Sequence, residues 1–499
     1  MNNYLLAIDQ GTTNSRAIVF DKTGKLLGQH ELALLQFFPR SGWVEQNPDE
    51  IFNNTLICCR EAIAKAKLTE ADITAIGISN QRETTIIWDK HTGRPVYPAI
   101  VWQDRRTSET CQELAKTMPA EMIQHKTGLL LDPYFSATKI MWILNNVPGV
   151  RSRAQNGHLL FGTIDTYMVW KLTNGKSHVT DATNASRTML YDIKKQEWDE
   201  ELLTAFDIPA ILLPTVLDNT ADFGEVDVEF LGRTIPITGM AGDQQAATVG
   251  QACFHHGMVK TTFGTGCFML LNTGDSMIVS ENQLLSTIAY RINNKVTYGL
   301  EGSIFSAGVT IKWLRDILRL IKTAAESEMH ARHVDDTNGV YLVPAFTGLG
   351  APYWDPEARG ALLGLTRGTE IAHIVRASLE AVAYQTRDLL QAMSLDYGDD
   401  IKTLRADGGM SANNWLLQFL ADMAGVTVQR PACIETSALG AAYLAGLQAG
   451  VYSSLSEITD LWAMNAEFTQ QMPPERRETL YAGWKEAVAR ILNRHYTTQ

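Results

Sequence analysis

The 499-residue chain is 45% hydrophobic and 20% charged, with no repetitive tract, a composition that excludes disorder and a length too great for one core, so two or three lobes are expected. Its net charge of −12 provides no basic field for a nucleic-acid backbone, and the short pair Arg105-Arg106 reads as solvated or ion-paired surface. No apolar run reaches the ~18 residues of a membrane span, the first ten residues lack a leader pattern, and six cysteines without metal-type spacing read as reduced thiols, so a cytoplasmic protein is expected.

The chain opens on a strand, Tyr4 to Asp9, a Gly/Thr turn, a second strand Arg16 to Phe20, a turn at Lys22-Thr23-Gly24 and a third strand, which together make an antiparallel meander. A helix from Pro48 to Lys67, a buried strand Ile73 to Ser79 and a strand Ile235 to Met240 follow. Near Met258 the pattern restarts: strand Val259 to Phe263, turn Gly264-Thr265-Gly266, returning strand Cys267 to Leu271. Helices Ile371 to Met393, Trp415 to Ala424 and Ser437 to Leu447 complete the second half, with a short strand Val426 to Gln429 between the last two. The repetition predicts an α/β protein built by duplication, with domains 1–254 and 255–499.

Three glycine-rich turns can hold phosphate. After Asp9, the run Gln10-Gly11-Thr12-Thr13-Asn14-Ser15-Arg16 combines a permissive backbone, hydroxyl and amide donors and a permanent cation, and Asp9 could hold Mg²⁺ through water. The plainer alternative is a hairpin turn that satisfies its own backbone. Phe263-Gly264-Thr265-Gly266 repeats the device, and Asp407-Gly408-Gly409-Met410-Ser411-Ala412-Asn413 lies between a strand and a helix, where taken singly it reads first as an Asx turn and helix start. Neither of the first two matches a P-loop or a dinucleotide fingerprint. Asp243 opens the helical Gln244 to Gly250 and could be a plain N-cap; Arg82 and Glu83 could be an exposed ion pair, and Trp102 and Phe268 core aromatics. His330 and His333 read as a solvated helix face rather than metal ligands.

Taken in order, Asp9-Gln10-Gly11-Thr12-Thr13, Asn80-Gln81-Arg82-Glu83-Thr84-Thr85, Gly242-Asp243-Gln244-Gln245, Phe263-Gly264-Thr265-Gly266 and Asp407-Gly408-Gly409 resemble the FGGY carbohydrate kinases over essentially the whole chain. The resemblance implies two actin-like, ribonuclease-H-like domains around a central cleft, and ATP with Mg²⁺ as cofactor. The Arg82 segment, with Ala99-Ile100-Val101-Trp102-Gln103, implies glycerol rather than a sugar as the phosphoryl acceptor. On the same basis Asp243 is the catalytic base. Thr12, Arg82, Glu83, Trp102, Tyr134, Asp243, Gln244 and Phe268 surround the polyol; Thr12, Thr13, Asn14, Arg16, Thr265, Gly308, Lys312, Gly409 and Asn413 hold the nucleotide; Asp9 and Asp243 face the metal. A homodimer or homotetramer is also implied.

Two features depart from the family's pattern. Lys312 stands where relatives often carry Gln near the adenine, and Val226-Asp227-Val228-Glu229-Phe230-Leu231-Gly232-Arg233 lacks the glycines that bind fructose 1,6-bisphosphate in some bacterial members, with Glu229 where others carry a phosphorylatable His. A sugar kinase of the same family, or an actin-like or chaperone-like ATPase, are the rival readings. The first would change Arg82, Glu83 and Trp102, and the second would need a partner-binding region, for which residues beyond ~450 leave little room.

Overall fold

The computed structural model describes residues 3–355 and 357–492. In the first half, β1 (Tyr4–Gln10), β2 (Asn14–Asp21) and β3 (Leu26–Ala33) form the expected antiparallel meander. Helix α1 (Pro48–Lys65) starts where its sequence says it should: the Asn47 side chain accepts from the Asp49 amide, Pro48 fills the first turn, and Asp49 and Glu50 complement the helix dipole. Its buried stripe Ile51, Thr55, Cys58, Ala62 has helical spacing and covers the sheet. Strand β4 (Ile73–Asn80) pairs parallel with β1, and β5 (Glu225–Val226) and β6 (Ile235–Gly242) complete a six-stranded sheet of order β5-β6-β4-β1-β2-β3. Helix α2 (Asp243–Gly250) leaves β6 directly.

The second half repeats the scheme. β7 (Val259–Phe263) pairs antiparallel with β8 (Cys267–Gly274). β9 (Leu285–Ile292) and β10 (Lys295–Ile304) extend that edge. Helices α3 (Gly308–Asp316), α4 (Glu326–His333) and the 27-residue α5 (Ile371–Tyr397) follow. Then come β11 (Thr403–Asp407), α6 (Asn414–Ala424), β12 (Thr427–Pro431), α7 (Thr436–Gln448), β13 (Met464–Phe468) and α8 (Pro474–Ala489). The sheet order is β9-β10-β8-β7-β11-β12-β13, with β11 parallel to β7 as β4 is to β1. Both halves therefore consist of a hairpin followed by parallel strands, the duplication that the repeated strand–turn–strand motif predicted. We place the division between them at 254/255, in the turns joining α2 to β7.

Alternation along the second sheet and its register decide what faces the first half. Lys260 lies opposite Leu270, and Leu270 opposite Glu301; Thr262 lies opposite Phe268, and Phe268 opposite Ser303. Directly opposed residues share a face, as do residues two apart, so Lys260, Thr262, Phe268 and Glu301 all stand on one side of this sheet.

Helix α7 packs back on the first sheet, where Ala438, Ala441 and Leu444 share a core with Leu5, Ala7, Ala75 and Ala246. Glycines permit this close crossing: a Cβ on Gly440 would lie 1.8 Å from the Ala246 carbonyl oxygen, and one on Gly250 would lie 2.0 Å from that of Thr436. Backbone stands against backbone here, with no side chain to yield. Gly440→Ala is therefore expected to force α2 and α7 apart at a cost of about 1–3 kcal/mol, read as a lower thermal midpoint. An unchanged midpoint would contradict this packing.

Candidate active site

Two groups of residues meet between the halves. The first is a cleft of about 650 Å³ lined by Asn14 and Arg16 from the first half and by Thr265, Gly308, Lys312, Gly409 and Asn413 from the second. Arg16 sits opposite Asp9 in the β1–β2 pairing, so the hairpin itself makes their 2.6 Å ion pair. The other end of its guanidinium reaches Glu435 at 2.5 Å, which ties the first hairpin to the entry of α7. The loop before α3 is equally fixed: the Gly308 and Val309 amides donate to the Gly264 and Thr265 carbonyls at 3.1 and 3.0 Å. The glycines differ in what requires them. A Cβ on Gly308 would strike the Gly264 carbonyl, whereas one on Gly409 would meet no described atom within 4 Å. Packing explains Gly308, while at Gly409 the missing side chain keeps open the cleft that this residue lines.

The second group is a buried cluster of charges. Arg82, just past β4, donates through both terminal nitrogens to the two carboxylate oxygens of Glu301 on β10. Arg187 donates to the same Glu301 at 3.1 Å and to Glu83 at 2.6 Å. Asp243 approaches Arg82 Nε at 3.3 Å and accepts from the Gln244 amide at 2.8 Å. It is the first residue of α2, behind the cap Gly242, so the capping alternative does not apply. Its side chain is 31% exposed, against 1% for Glu83 and none for Glu301, so Asp243 is the accessible carboxylate of this cluster. Burial raises its pKa above the ordinary carboxylate value; Arg82 and Lys260 oppose that shift and Asp9 adds to it. Burial also works to raise Glu301, but Arg187 and Arg82 outweigh it and hold that carboxylate below its usual range.

An aromatic wall closes the cluster. Trp102 packs edge-on against Tyr134 at 5.6 Å and Phe268 at 6.0 Å, and its indole N–H donates to Thr12 Oγ1 at 2.8 Å. Trp102 and Phe268 are half-buried rather than core residues. Lys139, wholly buried, secures Tyr134 by donating to the carbonyls of Pro133, Tyr134 and Phe135, and desolvation drops its pKa to about 8. Thr13 is exposed at the turn beside Thr12.

Several residues behave differently from their sequence reading. Arg82 and Glu83 are sealed inside rather than exposed. The Arg106 side chain is fully buried, paired with Glu45 and Asp104 at 2.8 Å and stacked on Trp43, so only its neighbour Arg105 fits a surface reading. His330 and His333 lie on α4, and no group of three potential metal ligands occurs among the described residues. Val226 to Arg233 forms a strand end and one helical turn capped by Asp227 and closed at Gly232. Glu301, Arg187 and Lys260 were missed. Their one signal was a charged residue inside an otherwise apolar or hydroxyl-bearing run, as in Gly299-Leu300-Glu301-Gly302.

Removing one partner of a buried charge cluster strands the others. Glu301→Gln should cost about 3–5 kcal/mol because Arg82 and Arg187 lose their shared counter-ion. The corresponding loss at the exposed pair Lys116–Glu113, Glu113→Gln, should cost no more than about 0.5 kcal/mol. Equal effects of the two substitutions on urea unfolding would refute the buried network.

Comparison with known proteins supports a single family. The model of the FGGY family of carbohydrate kinases, N-terminal domain, matches residues 4–250, and that of the C-terminal domain matches residues 259–449. The glycerol kinase of Coxiella burnetii (strain RSA 493 / Nine Mile phase I) is 61% identical over 494 residues, covering 99% of this chain and 98% of that protein. Glycerol kinase 1 of Pseudomonas aeruginosa is 57% identical over 491 residues, covering 98% and 99%. Among solved structures, Plasmodium falciparum glycerol kinase with ADP superimposes with a TM-score of 0.90 at 38% identity, covering 99% of both chains. Gluconate kinase from Lactobacillus acidophilus shares the fold, with a TM-score of 0.85 at 24% identity and coverage of 98% and 99%. The architecture is the two-domain actin-like α/β fold, and the chain belongs to the FGGY family of carbohydrate kinases.

Proposed function

We propose that this protein is an ATP-dependent glycerol kinase that forms sn-glycerol 3-phosphate, with Asp243 as general base. The observation that carries the reading is the exposure of Asp243: it pairs with Arg82 of the buried charge cluster and is the cluster's accessible carboxylate. Similarity to glycerol kinases at 57–61% identity over nearly the whole chain supports the choice of acceptor.

Glycerol has three hydroxyls on a three-carbon chain, so a selective site needs hydrogen-bonding groups on one side and an apolar wall on the other. Arg82, Glu83, Tyr134, Asp243 and Gln244 supply the polar side; Trp102, held by Thr12, and Phe268 supply the wall. A site built to bond particular hydroxyls rejects analogues lacking them by far more than a size filter can. Arg82 and Glu83 are sealed while Glu301 of the second sheet clasps Arg82, so the polyol enters as the halves part and is enclosed as they close.

The residues of the neighbouring cleft fit a nucleotide. Gly409 leaves open space where backbone can approach a ligand, Asn14, Arg16 and Thr265 present donors suited to phosphates, and Gly308, Lys312 and Asn413 line the remainder. Asp9 and Asp243 are the carboxylates that would hold a Mg²⁺ ion, which takes hard oxygen donors. Bound MgATP supplies the phosphoryl group and a metal charge that neutralises its oxygens. Asp243 accepts the proton of the attacking hydroxyl, a contribution of about 10² to 10⁴ in rate. Its helix-terminal backbone and Arg82 hold the carboxylate in place, so positioning and electrostatics provide much of the remainder.

The assay is ADP release from MgATP with glycerol, dihydroxyacetone, xylulose, ribulose, gluconate or no acceptor. Release driven by glycerol and matched by glycerol 3-phosphate is expected. Preference for a sugar would move the activity within the family, and acceptor-independent release would favour the ATPase reading.

Asp243→Asn should lose at least about 10²-fold in kcat while retaining fold and nucleotide binding. The acidic limb of the wild-type pH profile should lie above the ordinary carboxylate range: activity falls as pH drops through the raised Asp243 pKa and protonates the base. Near wild-type turnover in the variant would remove Asp243 from the mechanism.

A further inference from the structure

The side-chain amide of Gln244 has two unlike ends, and one neighbour decides which of them is left unengaged. Lys260, fully buried on β7, sets its ammonium 2.5 Å from Gln244 Oε1 and 3.1 Å from Thr262 Oγ1. An ammonium donates three hydrogen bonds and accepts none, so Gln244 must turn its oxygen to Lys260. Its NH₂ then points away, and Nε2 hydrogen-bonds to no described residue, yet it is not among the sealed, unpaired polar atoms. The preceding residue, Asp243, offers a carboxylate that only accepts when ionised.

We propose that Lys260 is a positioning residue that locks the Gln244 amide with its NH₂ toward the acceptor pocket, so that Asp243 and Gln244 present one acceptor and one donor to two hydroxyls of a single polyol. The inference rests on the glycerol kinase reading and adds to it a specificity element reaching from the second sheet into the first half. The β7–β8–β10 register puts Lys260 on the same face as Phe268 and Glu301, so the strand that leads into the Gly264-Thr265 loop also orders the polyol side. Burial lowers the pKa of Lys260; Asp407, Asp243 and Glu301, which face the ammonium, oppose that shift and Arg82 adds to it. If the amide were free to rotate, Gln244 could present its oxygen beside the Asp243 carboxylate, leaving two acceptors where the polyol needs a donor.

The test is steady-state kinetics in glycerol and in ATP for wild type, Gln244→Ala, Gln244→Glu, Lys260→Met and the Lys260→Met/Gln244→Ala double variant. Gln244→Glu is nearly isosteric and keeps an oxygen for Lys260, but it has no N–H to offer. It and Gln244→Ala should each raise the glycerol KM by about tenfold or more, and Lys260→Met by a comparable factor, with the ATP KM within about threefold of wild type. The double variant should be no worse than Gln244→Ala, because Lys260 acts through an amide no longer present. Multiplication of the two effects would mean that Lys260 is merely structural and would overturn the inference. A wild-type glycerol KM in Gln244→Glu would do so even if Lys260→Met failed to fold. Wild-type protein that ignores glycerol would overturn the function and this inference together; wild-type protein that phosphorylates glycerol while Gln244→Glu keeps its KM would overturn the inference alone.

Discussion

The ion pair of Arg82 with Glu301 joins residues 219 positions apart and has almost no contact with solvent. Two charges removed from water cost several kcal/mol each, and their attraction repays that only when geometry is good and the remaining hydrogen-bonding capacity is used. Here the guanidinium engages both carboxylate oxygens, Arg187 donates a further bond to Glu301 and one to Glu83, and Asp243 completes the ring around Arg82. No member is well placed without the others. Because Arg82 belongs to the first half and Glu301 to the second, the cluster is complete only when the two sheets are together.

That dependence passes through ordinary backbone rules. The strand period of two and the antiparallel register place Lys260, Thr262, Phe268 and Glu301 on the inward face of the second sheet. Opposite them, β4 and β6 end side by side and deliver Arg82 and Asp243 to one point. The cleft has its own cross-half tie, in which Arg16 spans Asp9 and Glu435. The α2–α7 crossing brings backbones into contact through Gly250 and Gly440, a third tie between the halves.

Much of the architecture was legible because it is local. The hairpins at Tyr4–Asp21 and Val259–Gly274, the buried strands after them and the helix starting at Asp243 follow from alternation, turn residues and Gly-Asp punctuation over a few positions. The glycine-rich turns could be recognised as phosphate-binding candidates for the same reason. Glu301, Arg187 and Lys260 could not, because their meaning lies in pairing between strands and loops distant in sequence; alone, each is a single charge in an unremarkable segment. Arg106 failed in the opposite direction. Its neighbour made it look like a surface charge, but Trp43, Glu45 and Asp104 enclose it. Exposure of a charged residue is thus a default of composition that a set of distant partners can override.

On this reading the cross-half charge cluster and the aromatic wall form a polyol site with Asp243 as its accessible carboxylate. The most direct measurement is a crystal structure with ADP and glycerol 3-phosphate bound. The carbon chain should lie between Arg82–Glu83 and Trp102–Phe268, with the ester oxygen within roughly 2.6–3.2 Å of Asp243. Product bound elsewhere, or an Asp243 carboxylate directed away from that oxygen while Arg82 and Glu301 remain paired, would contradict it.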